Sequence, residues 1–247
     1  MKPKPTLALL HGWGMNTRVF DALSAQLENH VTLLPLALPG HGGVASLSTN
    51  TLTTWASHIA EQLPLQTVLL GWSLGGQIAM RIALDHPATP QRLILISTTP
   101  KFVADECWQV GIAREDLQTF GADMQNDTRA TLLRFLSLQT RGVAAQKSIL
   151  QNLRASFFFE PLPEPQALAA GLEMLLQTDL RAEVAQLVLP AIVIHGSLDK
   201  LTTPGAGTWL AKNLPSARAV LIDGAAHSPF LSHTQQVAQT ILEALHD

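Results

Sequence analysis

The sequence predicts an α/β domain with a mostly parallel central sheet, helices on both faces and a helical segment inserted late in the sheet. Three observations carry this expectation. Short runs rich in Leu, Val and Ile recur without polar alternation, as in strands covered on both faces. Helical spacing fills the intervals, which argues for parallel strands joined by right-handed crossovers. One interval, of about 90 residues, is too long for an unstructured loop and carries mostly helical spacing.

In chain order, strands are expected at Thr6–Leu10, Val31–Leu36, Thr67–Leu70, Arg92–Ile96, Ala191–His195 and Ala217–Ile222. Helices fall near 17–29, 52–63, 75–86, 204–213 and 233–246. In the long interval, Leu132, Leu133, Phe135, Leu136 and Leu138 recur at three and four. The expected organisation is a core of residues 1–100 and 184–247 with a helical cap, 101–183, over the carboxyl edge of the sheet. That edge is where sheets of this kind place their sites. "FFFEPLPEP" (157–165) reads as a Pro-rich hinge inside the cap.

Composition narrows the classes. Of 247 residues, 47% are hydrophobic and 14% charged, which supplies a full core and is unlike a disordered chain. A net charge of −3 gives no footprint for nucleic acid. Cys107 is the single cysteine, so no intrachain disulfide forms, which suits a reducing compartment. The apolar run Thr6–Leu10 is too short for a signal-peptide core, and no stretch approaches the roughly 18 apolar residues of a membrane span. The expectation is a cytoplasmic monomer with no nucleic-acid or membrane partner, no metal and no cofactor.

"LLGWSLGGQIAM" (69–80) sets a serine between Gly71 and Gly75, where an apolar run gives way to helical spacing. Gly-x-Ser-x-Gly between strand and helix is a nucleophile elbow. Side chains two positions before or after Ser73 would collide with the neighbouring strand and helix, and glycine removes them. The competing reading of Ser73 as an ordinary helix N-cap leaves Gly71 without a role. A serine nucleophile needs a base, and the base an orienting acid. Among nine histidines, His227 lies in a small-residue loop, "DGAAHSPFLSH", between the last strand and the last helix. His41, in "LPGHG", and His195, at a strand end, are expected to be structural. For the acid, Asp199 follows a strand in "IVIHGSLDKLTTP". Its rivals are Asp179, read as a helix N-cap, and Asp223, read as a turn residue. The order Ser73, Asp199, His227 is that of the α/β-hydrolase fold. An oxyanion hole takes one N–H from Leu74, after the nucleophile, and one from Trp13, after the His11–Gly12 bend. Trp13 as a plain packing aromatic is the alternative.

With these residues placed, the segments "LLHGWGMN", "GWSLGGQIA", "RFLSLQT", "GLEMLLQTDLR", "GSLDKLTTP" and "AAHSPFLSH" together resemble the pimeloyl-[acyl-carrier protein] methyl ester carboxylesterases of biotin synthesis, from about residue 6 to the C-terminus. The resemblance implies an α/β-hydrolase fold with its cap after the sixth-strand position. It implies hydrolysis of the methyl ester of pimeloyl-acyl carrier protein, with that carrier protein as partner. It also implies substrate contacts from Trp13, Ser73, Leu74, Phe135, Leu136, Ser137, Leu138, Gln139 and His227. The family usually carries a further N-terminal strand segment, whereas only Met1–Pro5 precede Thr6 here; the expected consequence bears on stability and edge protection, not on activity.

From Arg129 to Phe159 the charged residues are Arg129, Arg134, Arg141, Lys147 and Arg154, with no Asp or Glu. Arg134/Arg141 and Lys147/Arg154 are steps of seven, so each pair can share a helix face. Such a stretch beside a pocket mouth would orient an acidic carrier protein. The bland alternative is a solvated helix face. Two rival functions keep the fold: a broad short-chain carboxylesterase or C–C bond hydrolase with the same triad, and a hydrolase-fold protein that binds a ligand without turnover.

Overall fold

The computed structural model describes residues 3–246. Six strands form one parallel sheet: β1 (Thr6–Leu10), β2 (Thr32–Leu36), β3 (Thr67–Trp72), β4 (Pro90–Ile96), β5 (Ala191–Gly196) and β6 (Ala217–Ile222). Their order is β2-β1-β3-β4-β5-β6, every neighbouring pair is parallel, and only the β3–β4 ladder shifts register, at Thr67/Val68. All residues of β3 and β5 are buried whichever way they point, so both faces of the sheet are covered. The edge strands are wetter. Pro35 removes a donor from β2, and Arg218 puts a charge on β6, both devices that blunt an edge.

The core helices are α1 (Asp21–Leu27, entered through a 3-10 turn at Thr17–Phe20), α2 (Leu52–Ala60), α3 (Leu74–Asp85), α8 (Pro204–Asn213), α9 (Pro229–Ser232) and α10 (Thr234–His246). α1 packs on α10, α2 on α3, and α8 on β5 and β6. Each expected strand is present, with ends displaced by two residues at most.

Between β4 and β5 lie four helices: α4 (Arg114–Asn126), α5 (Thr128–Gln139), α6 (Gln146–Phe159) and α7 (Pro165–Gln177). The preceding strand is fourth in this chain. Two local expectations are corrected. Phe157–Phe159 belong to α6, so the proline-rich connection begins at Glu160 and ends where Pro165 enters α7 at its first turn, a position that needs no N–H. α5 stops at Gln139, so Arg134 and Arg141 do not share a helix, whereas Lys147 and Arg154 both lie on α6.

At the neck of the cap, Lys101 pairs with Asp105 and Asp179, and Arg181 pairs with the same two carboxylates. Asp179 is therefore not the helix N-cap expected of it. Arg181, by side-chain hydrogen bonding, and Lys101 hold its carboxyl down at about 2 against the burial that would raise it.

Candidate active site

Ser73 sits at the β3–α3 junction with φ 55° and ψ −121°, and its side chain makes no capping hydrogen bond. The N-cap reading is thereby excluded, and the strained backbone matches the elbow. The glycines are explained by contact. A Cβ on Gly71 would press into the backbone of Gly75 and Gly76, and one on Gly75 into the carbonyl oxygens of Leu10 and His11 in β1 and its loop. Ser73 N–H donates to the Ile96 carbonyl at 3.0 Å, and Thr98 Oγ1 donates to the Ser73 carbonyl at 2.7 Å. The turn is thus pinned from β4.

His227 and Asp199 meet beyond the ends of β6 and β5. His227 Nδ1 donates to Asp199 Oδ2 at 2.9 Å, and both residues are buried. That bond leaves Nε2 as the lone-pair atom, and Nε2 is buried without a partner among the described residues. No hydrogen bond joins it to Ser73 Oγ in this structure; such bonds commonly tighten only with substrate bound. Burial alone would raise the Asp199 carboxyl. The hydrogen bonds from His227 and the Leu201 N–H hold it below the usual carboxylate range, so it is ionised.

Three partners that the sequence reading did not single out complete this couple. Leu201 N–H and Thr202 N–H donate to Asp199 Oδ1 at 2.9 and 3.0 Å, and Thr202 Oγ1 donates to Oδ2 at 2.9 Å. Trp72 Nε1 donates to the His227 carbonyl at 2.8 Å while its ring packs on Phe230. Part of this was legible: Thr202 lies three residues past the acid, whereas the Trp72 bond spans 155 residues. The rival Asp223 accepts from Ser197 Oγ at 3.0 Å, and Gly224 N–H donates to that hydroxyl, as a turn residue should.

The β1 loop crosses Ser73 closely: a Cβ on Gly12 would lie 3.2 Å from Ser73 Cβ. His11 shapes this loop. Its Nε2 accepts from Leu38 N–H at 3.1 Å, which places the proton on Nδ1, where it meets the Gly12 carbonyl at 2.8 Å. Burial and the neighbouring His41 lower His11 to about 3. His41, buried against His11 and Trp55, is lowered to about 4 by burial. The "LPGHG" turn therefore abuts the loop beside Ser73. His195 packs against Gly207 of α8 and is lowered to about 4, again chiefly by burial. Leu74 opens α3, so its N–H has no intrahelical partner.

Beside the Trp13 loop lies a cavity of about 230 Å³, walled by Trp13, Phe120, Phe135, Leu138, Leu172 and Leu201 among others, with Asp116 and Lys200 at its lining. Trp13 stands edge-on to Phe120 and Phe135, and its Nε1 donates to the Leu168 carbonyl of α7 at 2.8 Å. Of the five α5 residues named for substrate, Phe135 and Leu138 line this cavity. Leu136 is fully buried in the core, and Ser137 Oγ donates to the Leu133 carbonyl of its own helix. Gln139 Oε1 accepts from Ser228 Oγ at 3.4 Å, beside His227.

The five basic residues between Arg129 and Phe159 are all exposed. Arg134 pairs with Asp123 on α4, and the Arg129 guanidinium stacks on Phe158. Arg141, Lys147 and Arg154 make no ion pair among the described residues.

A strained serine, a buried His–Asp couple and an apolar slot under a cap form a hydrolase constellation. The model of the alpha/beta hydrolase family matches residues 7–240. The chain belongs to that family. Pimeloyl-[acyl-carrier protein] methyl ester esterase of Nitrosomonas europaea is 40% identical to it over 232 residues, covering 94% of this chain and 92% of the relative. The esterase of the same name from Aromatoleum aromaticum is 40% identical over 243 residues, covering 96% and 97%. This identity over nearly the whole length of both chains places the hydrolase in the family of those esterases, and it is a carboxylic ester hydrolase. An esterase structure from Exiguobacterium antarcticum superposes with a TM-score of 0.92 at 20% identity, covering 100% of this chain and 94% of the other, a likeness of fold. Among the described residues no helix is long and apolar enough to cross a membrane.

Proposed function

We propose that the hydrolase cleaves the methyl ester of pimeloyl-[acyl-carrier protein], releasing methanol and the free ω-carboxylate of the carrier-bound chain. The observation that carries this reading is the 40% identity, cap included, to esterases of that name. The geometry supplies a mechanism. Ser73 Oγ attacks the ester carbonyl as His227 Nε2 takes its proton, and ionised Asp199 stabilises the imidazolium through Nδ1–H. The oxyanion sits between the N–H groups of Trp13 and Leu74. His227 returns the proton to the departing methoxide, leaving an acyl-enzyme. Water, deprotonated by His227, then attacks the acyl carbon, and collapse returns the proton to Ser73 and frees the carboxylate.

The apolar slot beside Trp13, Phe135 and Leu138 takes the methylene chain. Leu136, by core packing, and Ser137, by a hydrogen bond within the helix, hold α5 behind the slot, and Gln139 meets the substrate beside His227. Residues 101–183 act as the lid. Arg129, Arg134, Arg141, Lys147 and Arg154 guide an acidic carrier protein to the cap, and the enzyme works as a cytoplasmic monomer. The test is methanol release from the methyl pimeloyl carrier protein. Ser73→Ala removes one hydroxyl, keeps the fold, and lowers turnover by several powers of ten. Turnover that survives this substitution refutes the assignment.

A further inference from the structure

The carboxyl end of α5 meets all three loops that carry catalytic groups. Leu138 shares the cavity wall with Leu201, two residues past Asp199. In the turn after α5, a Cβ on Gly142 would lie 3.8 Å from Cδ1 of Leu198, which precedes Asp199. Gln139, the last residue of α5, reaches the other two loops. Its Oε1 accepts from Ser228 Oγ at 3.4 Å, and its Nε2 donates to Met15 Sδ at 3.9 Å. Ser228 directly follows the base, and Met15 lies two residues past Trp13.

The Ser228 hydroxyl has a local use that it does not take. Ser228 stands immediately before α9, where a serine ordinarily accepts from first-turn N–H groups, yet its side chain makes no capping bond. The hydroxyl turns to the cap instead. Ser228 is 3% exposed and Gln139 1%, so solvent does not readily replace a partner that either one loses. The amide is oriented by what faces it. A thioether can only accept, so Nε2 faces Met15 and Oε1 faces the Ser228 hydroxyl, not the reverse. The Gln139 side chain makes no other hydrogen bond among the described residues. Its amide hydrogens therefore have only a weak sulfur acceptor, and they lie on the side of the loop that carries Trp13.

We infer that Ser228 is a positioning residue for ester hydrolysis: its hydroxyl holds Gln139 with the amide N–H groups toward the Trp13 loop, where they donate to an oxygen of the bound ester. This deepens the proposed function and rests on its triad and on its contact between Gln139 and substrate. An ester oxygen accepts better than a thioether and displaces it. Negative charge developing on the substrate strengthens the bond in the transition state, so the effect falls on kcat. Without the Ser228 hydroxyl, Oε1 is buried with no donor, a cost that the side chain escapes by rotating away and taking its N–H groups with it.

The experiment compares the wild type, Ser228→Ala, Gln139→Met and the double variant on a small methyl ester and on the methyl pimeloyl carrier protein. Methionine keeps the length of glutamine without the amide. Ser228→Ala is expected to lower kcat about tenfold on both substrates with KM within about twofold, Gln139→Met to do the same, and the double variant to lose no more than the worse single. The acid limb of the kcat/KM profile against pH should not move. Ser228→Cys, close in shape with a weaker donor, should fall between serine and alanine and guards against a variant that fails to fold. Four results each overturn the inference: kcat within twofold of wild type in Ser228→Ala, a loss confined to KM, losses that multiply in the double variant, or a displaced acid limb. The last two would mean that Ser228 acts on the base without Gln139. A wild type that hydrolyses the small ester but not the carrier-bound one refutes the carrier reading alone, since the small ester still decides the role of Ser228. Turnover that survives Ser73→Ala refutes the triad, whatever Ser228 does.

Discussion

Three buried imidazoles outside the triad couple are expected to make the fold acid-sensitive well above the range of its carboxylates. His11, His41 and His195 are lowered from 6.5 to about 3, 4 and 4, chiefly by burial. Each is neutral when folded at pH 5, while an unfolded histidine is then almost fully protonated. The unfolded chain thus binds more protons, and stability falls as pH drops below 6.5 until the folded pKa is reached. Protonating a group of pKa 6.5 at pH 5 favours the unfolded state by about 2 kcal/mol. This figure hardly depends on whether the folded value is 3 or 4, since neither form takes a proton at pH 5. His11 and His41 are neighbours, but both stay neutral there, so their contributions add. The sum, about 6 kcal/mol between pH 8 and pH 5, is comparable to the whole stability of an ordinary domain. Urea titrations at the two pH values measure it. His195→Gln and His41→Phe should each recover about 2 kcal/mol of the pH-dependent loss, whatever they do to stability at pH 8. A stability that is flat between pH 8 and pH 5, or variants that keep the full loss, would refute the reasoning. Since His11 holds the loop beside Ser73, inactivation by acid should track this unfolding and reverse on neutralisation.

Asp199→Asn should keep the fold and lower kcat by roughly four powers of ten, because Nδ1 loses its charged acceptor; Asp223→Asn, at a turn, should leave kcat within about twofold, and steady-state kinetics on a small ester distinguish them. Gly75→Ala should destabilise by about 1–3 kcal/mol or more in urea titration, since the new methyl presses on the backbone oxygens of Leu10 and His11 rather than on movable side chains. Lys147→Glu with Arg154→Glu should raise KM for the carrier-bound ester and leave kcat and a small free ester unchanged. Each exposed charge should contribute on the order of 1 kcal/mol or less, and added salt should erase the difference.

The sheet was legible because each strand is a short Leu/Val/Ile run buried on both faces, a pattern that depends on local sequence alone. The elbow was legible for a related reason: the backbone must approach β1 at Gly75, and only glycine permits it, so the need is written at that position. Asp199, among three candidates, was chosen from its place after β5, and it is the carboxylate that His227 meets. Asp179 misled because an aspartate before a short helical turn looks like a cap, whereas its partners Lys101 and Arg181 include one 78 residues distant. Long-range charge pairing leaves no local pattern. Trp72 and Leu168 went unnoticed for the same reason: their hydrogen bonds, each spanning 155 residues, join elements that only the fold brings together, whereas Thr202 lay within local reach of Asp199.

The cap and the catalytic groups are tied at points that bear on each other. Trp13, whose N–H is assigned to the oxyanion, hangs by its indole from the Leu168 carbonyl of α7. Gln139, at the end of α5, holds Ser228 next to the base. The Lys101–Asp105–Asp179–Arg181 network fastens both ends of the insertion where it leaves and rejoins the core. A rigid shift of α7 would therefore drag the oxyanion loop, and a shift of α5 would drag the His227 loop. With the neck fastened, the less costly movements left are those of side chains within the cap. These ties hold the Trp13 loop and the His–Asp couple in place, which is the preorganisation that stabilisation of a developing oxyanion requires.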